Sequence, residues 1–525
     1  MKFQIVAITV RSITLELLND EIYESQCEYT YYIDGEKRLS SRKNVVTIFG
    51  LEPNTEYNLR VEKDSKDFRE MVFYTKAESV LLDVRNFGAK GDGTTNDTEA
   101  IQAAVYACPK DGTVYLSKGT YLSAPIFLKS NVTLWLDMGA TLLGTTDRNA
   151  YPILPGMVRG TDEKTEFPLG TWEGNPLDSF ASLITAIDVE NVQIIGEGTI
   201  DGNAQNSDWW VEPRVKRGAW RPNILFFERC KEVCVQGLTI QNSPSWTVHP
   251  YYSERLGFYN LLIQNPYDSP NTDGFDPESC KDVLMLGCKI SVGDDCIAIK
   301  SGKYYMSKFH YFRTERINIR NCRLERGHGS VTMGSEVSSG VETVKVSQCI
   351  FEKTDRGIRL KTRRGRGDTS VMDDLKFERI KMKDVPMPMT INMFYFCDPD
   401  GHSDYVQSQD YRPADDLTPK IGKISARHIS IERAGACLVC AYGLPESPIG
   451  QVTIEDINAD FLDEKERISL VPIMMDNFPE MNGKSFFLKN IKSVVLKDIH
   501  VRGCSDDAPE CINVEKVITD KLEYV

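Results

Sequence analysis

From about residue 130 onward, short runs of alternating apolar and β-branched residues recur, each followed by a break. They include "VTLWL" at Val132, "VQIIGEGTI" at Val192, "VCVQGLTI" at Val233, "VLMLGCKI" at Val283, "INIRNCRL" at Ile317, "VKVSQCIF" at Val344, "LKFERIKM" at Leu375, "ISARHISI" at Ile424, "VTIEDINA" at Val452 and "VVLKDIHV" at Val494. Several starts lie about 25 to 35 residues apart, the period of stacked repeat architectures, and longer gaps read as insertions. Helical periodicity is nearly absent, which excludes helical solenoids, and no propeller signature occurs. A parallel β-helix is the expected fold, with the chain's 41% hydrophobic content filling one continuous core.

That repeat decides how three aspartates are read. Asp273 lies in "NTDG" and Asp294 and Asp295 in "GDD". Asp beside Gly is an ordinary solvated turn pair, and a catalytic carboxylate cluster is the competing reading. In a solenoid, residues one coil apart stack on strands roughly 4.8 Å apart. Asp273 to Asp294 is 21 residues, Asp294 to His328 is 34, and His328 to Arg359 is 31. Four polar positions are thus expected to line one face. Inverting glycoside hydrolysis needs one carboxylic acid and one carboxylate base roughly 6.5–9.5 Å apart, and adjacent rungs place such a pair within reach. Crowded carboxylates also raise at least one pKa, keeping an acid protonated.

The formal net charge of −14 argues against nucleic acid or an anionic membrane as the main partner. Against it stands "RGIRLKTRRGR", Arg356 to Arg366, with six basic residues and no acid. It reads as counter-charge to the aspartates, or as a site for a substrate that is itself a carboxylate. No stretch approaches the roughly 20 apolar residues that span a bilayer. The 14 cysteines are scattered, several at interior-looking strand positions, and read as buried thiols; "CLVC" at Cys437 has no second pair near it, so no metal site is expected.

The first 77 residues differ, with short alternating strands such as "SITLELL", "CEYTYYI" and "EYNLRVE". "LEPNTEYNLRV", through Leu51, Pro53, Thr55 and Tyr57, resembles the loop and tyrosine corner of fibronectin type III domains. A small β-sandwich over 1–77, a spacer or packing module, followed by the β-helix over 78–525, is the expected domain division. "DTEAIQAAVYAC" reads as a short helix with Asp97 or a neighbour as its cap. The N-terminal "MKFQIVAITV" reads as a strand, since Gln4 and Arg11 interrupt the apolar run of a leader. A cytoplasmic location is expected on that ground, and a secreted one if a leader precedes the chain.

Taken together, "NTDG" (271–274), "GDD" (293–295), "GHG" (327–329) and "RLK" (359–361) occur in the order found in the polygalacturonases, family 28 of the glycoside hydrolases, which the chain resembles from about residue 80 to 520. "RLK" departs conservatively from the commoner R-I-K. The resemblance implies a right-handed parallel β-helix and hydrolysis of α-1,4-galacturonosidic bonds with inversion, without metal or cofactor. It makes Asp294 the general acid, has Asp273 and Asp295 hold and deprotonate the attacking water, and gives His328 the tuning of the acid. Arg359 and Lys361 would bind the galacturonate carboxylate, with Asn271 and His249 as further substrate-binding candidates. His249 either lines the cleft or is a satisfied structural histidine. Trp209 and Trp210 either stack on a sugar or pack locally, and Asp276 and Glu278 read as structural. "NSPSWTVHP", "DGFDPESC" and "GHGSVTMGSE" resemble bacterial exo-acting members. The insertions over residues 147–177, 303–312 and 396–419 are candidates for closing one end of the cleft. The alternatives are an endo-acting enzyme, a rhamnogalacturonan or xylogalacturonan hydrolase, a β-helix pectate lyase, and a non-catalytic carbohydrate-binding β-helix.

Overall fold

The computed structural model describes residues 1–64 and 67–525. The first 74 residues build two antiparallel sheets. Phe3–Ile8, Ile13–Leu17 and Val45–Ile48 form one; Glu36–Lys43, Glu24–Ile33, Glu56–Asp64 and Asp67–Tyr74 form the other. Ile13, Leu15, Tyr31, Leu59 and Val61 fill the space between them. The Tyr57 hydroxyl accepts the Glu52 N–H at 2.8 Å, tying down the turn before its strand. Ile13–Leu17 is buried on both faces. Ile13, Leu15 and Leu17 serve the sandwich core, while Thr14 and Glu16 turn outward onto the rest of the chain.

Beyond residue 80 the chain winds into a right-handed parallel β-helix. One column runs Val192, Val233, Leu256, Val283, Ile317, Val344, Leu375, Ile424, Val452, Val494 and Val517, each paired with the next in a parallel ladder. All but the last are buried or nearly so in a single core. Successive members lie 23 to 49 residues apart, the longest intervals carrying insertions. The rung Glu254–Tyr259 is absent from the runs named above, because Leu256 and Phe258 carry it without a β-branched residue.

Each coil turns a corner on a left-handed residue. The positions after Gln236, Tyr259, Leu286, Arg320 and Ser347 are Gly237, Asn260, Gly287, Asn321 and Gln348, with φ of 82, 49, 72, 51 and 55°. Gly and Asn suit this conformation, and stacking makes it recur in register. The helix Thr98–Ala107 packs at the N-terminal end of the solenoid core. Asp97 does not cap it through its side chain; that carboxylate accepts the Lys90 and Gly91 N–H groups and closes the preceding loop instead.

A second sheet of the coil runs from Leu225–Glu228 through Val248–Tyr251, Phe275, Ile297–Ile299, Val331–Met333, Arg356–Lys361 and Met387–Asn392 to Cys437–Tyr442. Its outer face carries the polar residues described next.

Candidate active site

Inter-coil hydrogen bonds bring the motifs together. Gly274 N donates to Asp295 O at 3.0 Å, Cys296 N to Gly329 O at 2.8 Å, and His328 N to Asp294 O at 3.0 Å. Asp273 thus lies beside Asp295, and His328 beside Asp294, on neighbouring coils. One oxygen from each of Asp273, Asp294 and Asp295 lies within 4.8 Å of the other two. The nearest oxygens of the cluster are closer than the expected 6.5–9.5 Å, since Asp294 and Asp295 are adjacent in sequence and Asp273 pairs with Asp295 on the neighbouring coil. The glycine of "GHG" is part of this packing: a Cβ on Gly329 would lie 2.6 Å from Asp295 Oδ1.

The three carboxyl groups differ in environment. The Asp294 side chain is 24% exposed, against 5% for Asp273 and 1% for Asp295, so Asp294 is the one open to a ligand. Burial, and then the Asp294 carboxylate, push Asp273 well above the usual carboxylate range. Burial would also raise Asp295, but Lys361 and Arg359 outweigh it and hold that group well below the usual range. Arg359 Nη1 stands 3.0 Å from Asp295 Oδ1 and Lys361 Nζ 2.9 Å from Oδ2. His328 Nδ1 is 3.4 Å from Asp294 Oδ1, and the hydrogen bond to Asp294 raises its pKa despite burial. Two cations facing one carboxylate leave positive charge at the site, which suits an anionic ligand.

The remaining members of the basic run are spoken for. Arg363 pairs with Asp398 and Asp400, Arg366 with Asp398, and Arg364 with Glu446, while Arg356 donates to Pro472 O. Arg363, Arg364 and Arg366 thus supply counter-charge to acids other than the three clustered aspartates.

His249 is a correction among the substrate-binding candidates. It is 1% exposed, with Nε2 2.9 Å from Glu278 and Nδ1 3.2 Å from Asn223, so it sits beneath the surface as a structural histidine. Burial lowers its pKa against the opposing pull of Glu278. Asn271 is partly exposed, and its Oδ1 accepts from Arg221 Nη2 at 2.6 Å. Trp209 is buried against Tyr151 and Phe180 and packs locally; Trp210 donates its Nε1–H to Ser243 O. All the cysteines, including Cys437 and Cys440, are free thiols.

Two residues escaped the sequence reading. Lys300, 4% exposed, places Nζ 3.3 Å from Asp276 Oδ1, 3.7 Å from Asp273 Oδ2, 3.7 Å from Glu336 Oε2 and 3.9 Å from the Trp246 ring centre. Burial would lower its pKa, but Glu336, Asp273 and Asp276 hold it protonated. Glu336 is held down by Lys300 and Lys303 against its own burial. The available signal was a lysine ending the apolar run "CIAIK". The loop over 462–483 was also missed. Met474 Sδ lies 3.1 Å from Arg359 Nη2, and the Met474 carbonyl accepts from Asn392. Its length alone was informative, since long strandless loops on a solenoid are often functional.

The model of the glycosyl hydrolases of family 28 matches residues 138–408. A second model, rhamnogalacturonase A/epimerase, pectate lyase-like, matches residues 81–146, a stretch holding none of the clustered aspartates. A probable polygalacturonase of Vitis vinifera is 32% identical over 330 residues, 61% of this chain and 64% of that protein, so the match spans just under two thirds of the relative's own length. Among solved structures, a family 28 exopolygalacturonase of Yersinia enterocolitica superposes with a TM-score of 0.71 over 98% of each chain at 19% identity. A hyperthermoactive exopolygalacturonase of Thermotoga maritima superposes with a TM-score of 0.61 at 26% identity, over 73% of this chain and 87% of that one.

Proposed function

This chain belongs to the glycosyl hydrolases of family 28, and from that membership we propose that it hydrolyses α-1,4-galacturonosidic bonds in pectin-derived galacturonides, acting from chain ends. The observation that carries the proposal is the carboxylate cluster of Asp273, Asp294 and Asp295 set against Arg359 and Lys361. Asp294, the exposed member, is assigned the proton donated to the leaving oxygen. Asp273 and Asp295, in register on adjacent coils, are assigned the attacking water. Carboxyl groups this close titrate as a unit, so the proton favoured at Asp273 belongs to the cluster. His328 beside Asp294 replenishes it. The charge left over from Arg359 and Lys361 after pairing with Asp295 is assigned the carboxylate of the bound sugar.

Inversion is proposed on the same division of labour, in which water and acid occupy different sides of the site. The close spacing of the carboxyls does not itself select the outcome, so the anomer first released is the measurement that does. A β product supports inversion; an α product requires a covalent intermediate on one aspartate.

End-directed action rests on the hairpin tip Trp172–Asn175, which reaches the floor of the site from the 147–177 insertion. The deciding experiment is a time course on polygalacturonate with chelator present. Saturated monomer or dimer from the earliest points supports an exo-hydrolase. A ladder of intermediate sizes would make the enzyme endo-acting, and rising unsaturated-uronate absorbance would make it a lyase.

A further inference from the structure

The hairpin tip carries a carboxyl group that the reaction outlined above does not use. Trp172 and Asn175 close the tip with two backbone hydrogen bonds of 3.0 and 3.1 Å. Lys303 N donates to Gly174 O at 2.9 Å, and a Cβ on Gly174 would lie 2.8 Å from Glu336 Cγ, so the tip is pressed against the cleft floor. Glu336 faces Lys300, and Lys300 faces Asp273. Glu173 therefore stands about two side chains from the catalytic cluster. Its backbone is left-handed at φ 47°, uncommon for a residue other than Gly, Asn or Asp. Its half-buried side chain makes no hydrogen bond and no ion pair among the described residues, although it lies in the field of Glu336, Lys303 and Lys300.

The wall behind it is rigid. Trp172 stacks on Trp220 with ring centres 4.7 Å apart and planes 7° apart, and the Arg221 guanidinium lies 5.2 Å from the Trp172 ring centre. Arg221 in turn bonds Asn271, two residues before Asp273. The Glu173 charge opposes the burial that lowers the Arg221 pKa, and its half-buried carboxyl leaves its own hydrogen-bonding capacity free for a ligand.

We propose that Glu173 hydrogen-bonds the free hydroxyl at the non-reducing end of the galacturonide, making the Trp172–Asn175 tip the element that selects chain ends. The inference rests on the exo-hydrolase reading above. A terminal sugar offers a hydroxyl that both donates and accepts; an internal sugar offers at the same place an ether oxygen carrying further chain, which the tip would block. Burial, and then Glu336, raise the Glu173 carboxyl above its ordinary range. A carboxyl oxygen can accept the hydrogen of a sugar hydroxyl in either protonation state.

The test compares the full chain with Glu173→Gln and Glu173→Ala on saturated trigalacturonate and on 4,5-unsaturated trigalacturonate, which lacks that hydroxyl. Wild type is expected to prefer the saturated substrate by roughly 10- to 100-fold in kcat/KM, the scale of one lost hydrogen bond to a carboxyl group. Glu173→Ala should lose at least about tenfold on the saturated substrate and little on the unsaturated one. Glu173→Gln, which keeps a donor and an acceptor, should retain most of the preference. If wild type releases only end products and Glu173→Ala keeps its preference, the assignment of Glu173 is wrong. Equal losses in both variants on both substrates would mean that the residue only shapes the loop, and would also overturn it. If wild type itself shows no preference and yields intermediate sizes, the exo reading fails first and the assignment falls with it.

Discussion

Asp294 and His328 meet twice: the His328 backbone N–H donates to the Asp294 carbonyl at 3.0 Å, and Nδ1 stands 3.4 Å from Oδ1. The first contact is solenoid register, and the second is the one the proposed mechanism uses. Asp294→Asn is expected to lower turnover about 1,000-fold without changing the melting temperature by more than a few degrees. Residual turnover above a tenth of wild type would remove Asp294 from the acid role.

The same pairing sets a pH dependence. The bond to Asp294 raises the His328 pKa, so the protonated imidazole persists above the ordinary value of about 6.5 and is lost as pH rises through its folded value. The alkaline limb of kcat/KM should lie above about pH 6.5 and move or vanish in His328→Gln. An unmoved limb would assign it to another group.

Lys361 and Arg359 hold Asp295 ionised, so the acid limb is expected to respond to their loss. Lys361→Met removes one of the two cations and lets burial raise the Asp295 pKa. The acid limb should shift upward by about one pH unit or more, and affinity for galacturonides should fall. Pre-steady-state binding and the pH profile separate the two effects; no change in either would strip Lys361 of its assigned role.

Asp273 gives a stability prediction of opposite sign to most buried charges. Its folded pKa lies above the unfolded value of about 3.9, so the folded chain holds a proton that the unfolded chain releases, and stability declines as pH rises between those values. Asp273→Asn removes that decline. The inactive variant should melt higher than wild type at pH 7, with the gap closing toward pH 4. A variant melting lower at pH 7 would show that the carboxylate is stabilising there.

Glu16 in the N-terminal sheets forms a bidentate pair with Arg320, at 2.6 and 2.8 Å, and accepts from Asn321 at 3.1 Å. Glu16 is almost fully buried and Arg320 partly so. Glu16→Ala should destabilise by about 2–3 kcal/mol, less than a wholly buried pair, by leaving Arg320 unpaired. Limited proteolysis near residues 75–80 should quicken while turnover on short oligomers below the melting range stays unchanged.

Much of this was legible in the primary structure. Inward residues such as Val283, Ile317 and Val344 advertise the coil through spacing and branching, and the four motifs mark where the coils bring carboxylates together. What stayed hidden depends on distances across coils. Lys300 looks like any strand-terminal lysine until Asp273, Asp276 and Glu336 converge on it. His249 was undecidable, because a histidine between apolar residues gives no sign whether Glu278 or solvent meets its ring. Arg359 and Lys361 were recognised as cations, but that both would be occupied by Asp295 follows only from the bend in the chain.

The N-terminal sheets touch Gln236 through Ser12 and Thr14, pack on Tyr259 and Leu286 through Val45, bond Arg320 and Asn321 through Glu16, and accept from Gln348 at Asn19 and Glu21. Those residues belong to five consecutive turns of the solenoid, the same turns from which Asp273, Asp294, His328 and Arg359 project on the far side. A stack held mainly by neighbour-to-neighbour contacts can shear like a deck of cards. A batten fastened across five cards at once resists that slip, and so keeps the spacing of carboxyls that belong to different turns.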